Sequence, residues 1–120
     1  MKRDIDLVRK ILLIMEKNPE PIFGGAIDIE GVSEDELHLH LRLMDEAGLI
    51  KAINTSSHSG IYYIPQWITW NGYEFLDAAR DDKRWKKAKG IAEKITTVTF
   101  DILIKILTSL ATDQLKGLIQ

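Results

Sequence analysis

Between residues 37 and 43, leucine stands at every second position, a period of two that by itself indicates a β-strand. Three features of the surrounding stretch favour a helix instead. Ser33 is followed by Glu36 at the spacing of a capping box, in which each side chain bonds a free backbone amide at the helix start. The segment is long for a strand, and it ends at Gly48, which can adopt the left-handed conformation of a helix C-cap. The pattern therefore predicts a helix over Ser33–Gly48.

On a helical wheel, the apolar residues of this helix form two stripes separated by His40, and the remaining arc is polar. The stripes consist of Leu37, Leu41 and Met44, and of Leu39, Leu43 and Ala47. The polar arc carries Glu34, Asp35, His38, Arg42, Asp45 and Glu46. An acidic arc works against insertion into a DNA groove, because affinity there comes largely from neutralising phosphates. The expected role of the arc is that of a solvated helix face.

The chain before this helix is predicted to begin with another helix. Asp4–Lys17 has apolar residues on one side and Asp4 as its N-cap, and it ends at Asn18 because the following proline excludes helical backbone there. Glu20–Val32 contains Pro21 and two consecutive glycines and is predicted to be extended or looped, with a short strand at Ala26–Ile29 as an alternative. A complete helix-turn-helix motif needs a short helix at this place, so that helix is expected to be shortened or absent.

The chain after Gly48 is predicted to form a two-stranded hairpin. Leu49–Asn54 and Ile61–Ile64 contain the β-branched and aromatic residues that strands prefer. The six residues 55–60 are rich in serine and end in glycine, which is typical of a turn, and Pro65 is expected to close the second strand. A helix, a glycine turn and a hairpin, in that order, are the local arrangement of a winged helix.

Two more helices are predicted beyond the hairpin. Trp67–Asp81 has Thr69 as its N-cap, and its aromatic residues Trp70, Tyr73 and Phe75 are expected to pack in the core. Arg84–Lys94 is predicted as a continuation or a second helix anchored by Trp85. These elements place the chain in the mainly α class with a small β-hairpin (α+β). The predicted domains are a winged helix-turn-helix-like domain over 1–82 and a C-terminal helical extension over 83–120.

The last segment, Ile95–Gln120, is apolar around about two-thirds of its helical circumference. A helix of that kind on a small domain needs a second surface to cover it. A membrane span is not expected, because Asp101 and Lys105 interrupt a stretch already too short to cross about 30 Å. Burial against a second copy or against the back face of its own domain is expected, and of the two we favour a homodimer. The predicted interface residues are Val98, Ile102, Leu103, Ile106, Leu107 and Leu110.

Charge is distributed unevenly along the chain, although the net charge is only −2. Residues 18–48 hold eight acids and one base, whereas residues 80–94 hold seven bases and three acids. This asymmetry indicates complementary self-association or a basic docking patch more than a uniform nucleic-acid field. No cysteine is present, and Asp4 and Asp6 stand where a signal peptide would need an apolar run, so the expected location is the cytoplasm.

No catalytic or metal site is predicted, no cofactor is implied, and the protein is not expected to be an enzyme. His38 and His40 point about 200° apart on a helix and cannot share one ion. Ser57 and His58 are adjacent, and adjacent residues rarely face each other as a nucleophile and its base. Gly24 and Gly25 are not followed by the lysine and serine of a phosphate-binding loop.

Three stretches together resemble a family of small proteins of unknown function encoded by bacteriophages and prophages of bacteria. They are MKRDIDLVRKILL at residues 1–13, HLRLMDEAGLI at residues 40–50 and ITWNGYEFLDAARDDKRWKKAK at residues 68–89. The first and third are specific, whereas the second recurs across winged-helix repressors. The resemblance covers essentially the whole chain, and it implies a winged-helix fold and a phage or prophage setting, with no established activity to transfer.

Two functions follow as hypotheses. The first is a dimeric winged-helix regulator that binds double-stranded DNA. Its contact candidates are His38 and Arg42 on the helix, Lys51, Ser57 and His58 on the wing, and Lys83, Arg84, Lys86 and Lys87 beyond it. The second is an interaction module or dimeric scaffold that binds a partner protein. The degenerate first helix of the motif, the acidic recognition face and a wing tip without arginine or lysine all argue against DNA.

Overall fold

The chain is mainly helical with one two-stranded antiparallel hairpin, as the computed structural model of the protein describes it over residues 2–18, 27–94 and 100–119. The elements in chain order are α1 (Ile5–Lys17), α2 (Glu34–Glu46), β1 (Ile50–Asn54), β2 (Tyr63–Ile68), α3 (Trp70–Ala79), α4 (Asp82–Glu93) and α5 (Phe100–Ile119). They divide into two compact units, unit 1 (Met1–Tyr73) and unit 2 (Glu74–Gln120). The sequence predicts two separate domains that meet between residues 82 and 83. That domain boundary stays a prediction.

α1 begins as its sequence predicts. The Asp4 side chain accepts hydrogen bonds from the backbone amides of Asp6 and Leu7. The helix buries Leu7, Val8, Ile11, Leu12 and Met15. These residues recur at helical spacing along one side, so burial of that stripe is what holds α1 in unit 1.

α2 confirms that the alternating leucines are helical. The Ser33 hydroxyl accepts from the Glu36 amide at 3.2 Å, so the predicted cap is present. At the other end, the Leu49 amide bonds the Met44 carbonyl and the Gly48 amide bonds the Asp45 carbonyl. With Gly48 at φ 76°, this pair of bonds forms a Schellman motif, which stops the helix and turns the chain into β1.

The segment before α2 carries neither helix nor strand between Ile27 and Ser33. The Val32 amide bonds the Ile29 carbonyl in a turn, and Gly31 lies at φ 80°. The predicted loop over Glu20–Val32, with its shortened or absent helix, lies outside the described residues at 20–26. Residues 27–29, the described part of the alternative strand, are not in a strand.

The hairpin differs from its prediction in the second strand. β2 runs from Tyr63 to Ile68, so Pro65 lies inside the strand and does not close it. Pro65 is opposite Ala52, and the Ala52 amide bonds the Asp45 side chain of α2 at 3.0 Å. Neither residue of this pair donates across the ladder, so the missing amide of Pro65 costs no strand hydrogen bond.

Trp67 belongs to this strand and not to the helix predicted over Trp67–Asp81. It is opposite Lys51, and the register shifts between Lys51 and Ala52. α3 begins at Trp70, and the Thr69 hydroxyl accepts from the Gly72 amide at 3.1 Å, which confirms Thr69 as the N-cap. The same hydroxyl donates to the Gly48 carbonyl and so joins the α3 start to the end of α2.

Unit 2 contains the rest of α3 together with α4 and α5, and α4 packs on α5. The ring of Phe75 meets Trp85 edge to face with centroids 6.1 Å apart. Both side chains are buried, so Trp85 is the anchor of α4 that its sequence predicts. Among the helices that the structure describes, none is long and apolar enough to cross a membrane.

Candidate functional site

Two histidines of α2 are buried by contacts within unit 1. His40 is fully buried, and its Nε2 accepts a hydrogen bond of 2.8 Å from the Asp4 amide at the start of α1. Its Nδ1 lies 2.7 Å from the Glu36 carbonyl. Because Nε2 accepts, the neutral ring carries its proton on Nδ1 and donates it to Glu36. His40 therefore joins α1 to α2 and has no nitrogen left for a ligand.

His38, a predicted DNA contact, is 8% exposed. Its Nδ1 accepts from the Tyr63 amide of β2 at 3.0 Å, and its ring meets Tyr62 edge to face at 5.1 Å. The contact between His38 and DNA stays a prediction. In the structure, the His38 side chain binds the hairpin through these two contacts.

The outer face of α2 consists of the residues that point away from the unit 1 core: Asp35, Leu39, Arg42, Leu43 and Glu46. Leu39 and Leu43 are half-buried and Ala47 is exposed, so the second predicted stripe is not fully buried. The Arg42 Nε lies 3.7 Å from a Glu46 carboxylate oxygen. Along this face, two leucines and Arg42 lie between the acidic residues Asp35 and Glu46.

The wing candidates Lys51, Ser57 and His58 are all exposed. Lys51 lies beside Trp67 on the outer side of the hairpin. At the tip, the Ser57 hydroxyl bonds the Ser59 hydroxyl at 2.7 Å, and a bridge joins Ser57 to Gly60. The tip is thus ordered by its own polar groups.

An aromatic surface stands out in unit 1 and consists of Ile53, Trp67, Trp70 and Tyr73. Trp67 is 57% exposed and Trp70 is 80% exposed. The expectation that Trp70 and Tyr73 pack in the core is wrong, because helical spacing fixes only that the two share one side of α3, and that side is turned outward. The chain cannot separate the Cα atoms of Trp67 and Trp70 by more than about 11 Å.

Sequence reasoning missed this surface. The signal that was available is the run of aromatic and β-branched residues that continues past Pro65 to Trp67 and Ile68. A strand continued to Ile68 would have put Trp67 on the outer side of the hairpin, on the same side as Lys51.

The four predicted DNA contacts in unit 2 lie on α4. Lys83, Lys86 and Lys87 are exposed, whereas Arg84 is half-buried. The Arg84 guanidinium donates to the Ala78 carbonyl at 3.2 Å and so caps the end of α3. The Arg84 amide donates to the Asp81 carboxylate at 2.9 Å, and this bond lowers the pKa of Asp81 below its ordinary value.

A cleft of about 400 Å³ lies between α4 and α5. We call it the α4–α5 groove. Its lining residues are Asp81, Lys83, Arg84, Lys87, Leu110 and Asp113. Cations outnumber carboxylates there by three to two, and Leu110 supplies an apolar patch.

The six predicted interface residues of the C-terminal helix have different surroundings. Leu103 and Leu107 are buried within the chain itself. Ile102, Ile106 and Leu110 are half-buried and follow one another at single-turn spacing, whereas Val98 lies outside the described residues. The role of these six residues in a dimer interface stays a prediction.

Metal chemistry finds no support in the described part of the chain, where no group of three or more histidine, aspartate or glutamate residues is placed to hold an ion. The nearly adjacent His38 and His40 point to different partners, Tyr63 and Asp4. The expectation that the protein is not an enzyme stays a prediction.

Comparison with known proteins gives one family and one curated relative. Residues 2–99 match the family model described as "Hypothetical protein (DUF2513)". An uncharacterized protein of Haemophilus influenzae (strain ATCC 51907 / DSM 11121 / KW20 / Rd) is 32% identical over 117 residues, which cover 96% of this chain and 99% of that protein. No solved structure matches.

Proposed function

This chain belongs to the DUF2513 family, and from its own surfaces we propose that it is a winged-helix-like module that binds a partner protein and acts as a homodimer. It is not an enzyme, and it does not read DNA through α2. Its proposed compartment is the cytoplasm. A phage or prophage origin is proposed from the resemblance of the sequence motifs alone.

The observation that carries the proposal is the exposure of Trp67 and Trp70 on the aromatic surface. Indole side chains contribute more binding energy at protein interfaces than most residues, because they exclude water over a large rigid area. Large apolar side chains that are exposed close together mark an interaction site more often than a solvated face, and the Cα atoms of Trp67 and Trp70 are at most about 11 Å apart. Ile53 and Tyr73 of the same unit are exposed as well.

The order of α1, α2 and the hairpin supports a winged-helix-like architecture, and α2 takes the place of a recognition helix. Its outer face argues for protein and against DNA. Asp35 and Glu46 repel phosphates, and Arg42 has Glu46 beside it at 3.7 Å. A wing tip without arginine or lysine adds no phosphate contact.

The test is site-specific photo-crosslinking from position 67 in bacterial cells, followed by direct binding measurements with the purified captured protein. We expect Trp67→Ala/Trp70→Ala to weaken that binding at least about tenfold, because removing an interface hot spot costs about 2 kcal/mol or more. Ile91→Ala, which removes an exposed apolar side chain in unit 2, is the matched control and should leave binding unchanged. Equal binding by the double variant and the wild type would exclude the aromatic surface.

Double-stranded DNA is the second candidate partner, and the exposed lysines of α4 are the observation that favours it. Lys83, Lys86 and Lys87 could follow a phosphate backbone without base contacts. DNA binding of this kind falls steeply with salt, since each neutralised phosphate releases a counterion. A complex with random duplex DNA at about 50 mM salt that is lost in Lys83→Glu/Lys87→Glu would favour this function.

A further inference from the structure

We infer that two copies pair reciprocally, with the outer face of α2 from each copy in the α4–α5 groove of the other. The inference rests on the proposed function, because it names the surfaces that pair the copies of the proposed homodimer. It uses no residue of the aromatic surface, so the two proposals can fail separately.

The groove has the chemistry of a receptor for an acidic, leucine-bearing helix. Lys83 and Lys87 are one helical turn apart on its rim, which spaces their Cα atoms by about 6 Å along α4. Leu110 of α5 supplies an apolar contact inside it. Its volume of about 400 Å³ is of the size that takes up a few side chains and not a whole domain.

The outer face of α2 has the matching pattern. Leu39 and Leu43 are also one turn apart, so their spacing of about 6 Å equals that of the lysines. Asp35 lies one turn before Leu39, and Glu46 lies nearly one turn after Leu43, and both carboxylates are exposed. An amphipathic helix that lays spaced leucines into a groove is a recurring mode of protein recognition.

Charge complementarity selects this partner. α2 carries five acids and one arginine, a net charge of −4 with neutral histidines. α4 carries five bases and two acids, a net charge of +3. The one base of α2, Arg42, meets carboxylates in the groove at Asp81 or Asp113. Opposite potentials of this kind speed association and fix which surfaces meet.

The proposed contact buries a small area, and this area limits the expected affinity. One helix face in one groove buries less than the roughly 1,000 Å² of a stable interface, and we expect dissociation constants in the range of about 10–100 μM. Because exposed charges carry much of the attraction, association should weaken as salt rises from about 50 to 500 mM.

The experiment is sedimentation equilibrium of the full chain and of two charge-reversed variants, Asp35→Lys/Glu46→Lys and Lys83→Glu/Lys87→Glu. In each variant alone the outer face of α2 and the rim of the α4–α5 groove carry charges of the same sign, and the variant should associate at least about tenfold more weakly than the wild type. An equimolar mixture restores opposite charges, and we expect it to associate again to within about threefold of the wild type. Circular dichroism checks that both variants keep their helices.

Matched control variants reverse the same number of charges at positions outside the two surfaces. Asp28→Lys/Glu30→Lys and Lys2→Glu/Lys10→Glu change exposed residues outside both surfaces and should associate as the wild type does. Leu39→Ser/Leu43→Ser tests the apolar part and should weaken association without altering net charge. Recovery in the mixture would also exclude a general effect of net charge if the control variants show no change.

Two results would overturn the inference. One is association that ignores both charge reversals but disappears in Ile102→Asp/Ile106→Asp, since the copies would then pair through α5 while the homodimer itself stands. The other is a wild-type chain that stays monomeric and binds duplex DNA through Lys83 and Lys87, which would assign the groove rim to nucleic acid. Neither outcome affects the crosslinking test from position 67.

Discussion

His38 and Asp45 lie seven residues apart on one side of α2, and each accepts a hydrogen bond from a backbone amide of the hairpin. His38 Nδ1 accepts from Tyr63 in β2, and Asp45 Oδ1 accepts from Ala52 in β1, both at 3.0 Å. α2 thus provides a hydrogen-bond acceptor for one backbone amide in each strand, and neither amide pairs across the ladder. A two-stranded hairpin is marginal alone, so these bonds and the packing of α2 hold it in place.

Replacing Asp45 by alanine should destabilise unit 1, because the Ala52 amide loses its acceptor. A part-buried amide without a partner costs about 1–3 kcal/mol, and we expect a loss in that range in urea denaturation. Hydrogen exchange at Ala52 should accelerate in parallel. Asp45→Asn keeps an acceptor oxygen and should lose much less. Glu46→Ala, one residue along on the exposed side, controls for the loss of a charge alone, and a loss as large as that of Asp45→Ala would refute the role of the bond.

Replacing His40 by leucine should loosen the start of α1. The leucine fills most of the buried space but cannot accept from the Asp4 amide, and we expect a loss of about 1–3 kcal/mol. Exchange of the Asp4 amide should become faster, while the first turn of α2 keeps its protection. Nitrogen chemical shifts of the wild-type ring should identify the form protonated on Nδ1. His58→Leu at the exposed wing tip is the control, and a wild-type ring protonated on Nε2 would contradict the assigned bonds.

The sequence was sufficient for those elements whose ends carry their own signals. Ser33 and Gly48 bound α2 because a hydroxyl cap and a left-handed glycine act through local backbone geometry. Asp4 and Thr69 start α1 and α3 in the same way. Such signals resolve the ambiguity of the alternating leucines, because a capped helix start is incompatible with a strand at that position.

The sequence was insufficient where tertiary contacts decide. Pro65 is tolerated in β2 because its partner Ala52 bonds Asp45, a contact between residues that no local pattern reveals. His38 looked like a surface residue of a polar arc, but the hairpin covers it. For Trp70, periodicity showed a shared helix side without showing which side faces the core. Burial of an aromatic residue is the common outcome, and here the exposed one is the candidate site.

Gly72 permits a close approach between α3 and the end of α2. A Cβ at this position would lie 2.6 Å from the Cγ2 of Ile68 and far inside contact distance of the Leu49 carbonyl oxygen. Gly72→Ala should therefore cost about 3 kcal/mol in unfolding free energy, since a backbone atom cannot yield as a flexible side chain does. Gly90→Ala in α4 meets nothing within 4 Å and should instead add about 0.5–1 kcal/mol. Similar effects of the two substitutions would show that space is not what selects glycine at position 72.

Acidic pH should reduce the contribution of Asp81 to the unfolding free energy of unit 2. The bond from the Arg84 amide lowers the pKa of this carboxyl, so the folded protein holds its proton less tightly than the unfolded chain. The resulting stabilisation is fully present above the ordinary aspartate pKa of about 3.9 and is lost as the pH falls through the lowered value. The stability gap between wild type and Asp81→Ala should thus narrow at acidic pH in urea denaturation followed by circular dichroism. A gap that widens on acidification would reverse the sign and contradict the cap.

Substitutions of Leu107 and Ile106 distinguish the contribution of α5 to folding from its contribution to association. Leu107 is fully buried in its own chain, so Leu107→Ala should lower unfolding free energy by about 3 kcal/mol at every protein concentration. Ile106 is half-buried, and Ile106→Ala removes less buried area and should cost about 1 kcal/mol. Denaturation at two concentrations about a hundredfold apart distinguishes the cases, because an interface residue makes the midpoint concentration-dependent. A concentration-dependent loss at Leu107 would return that residue to the dimer interface that the sequence predicted, whereas a constant loss keeps it in the core of unit 2.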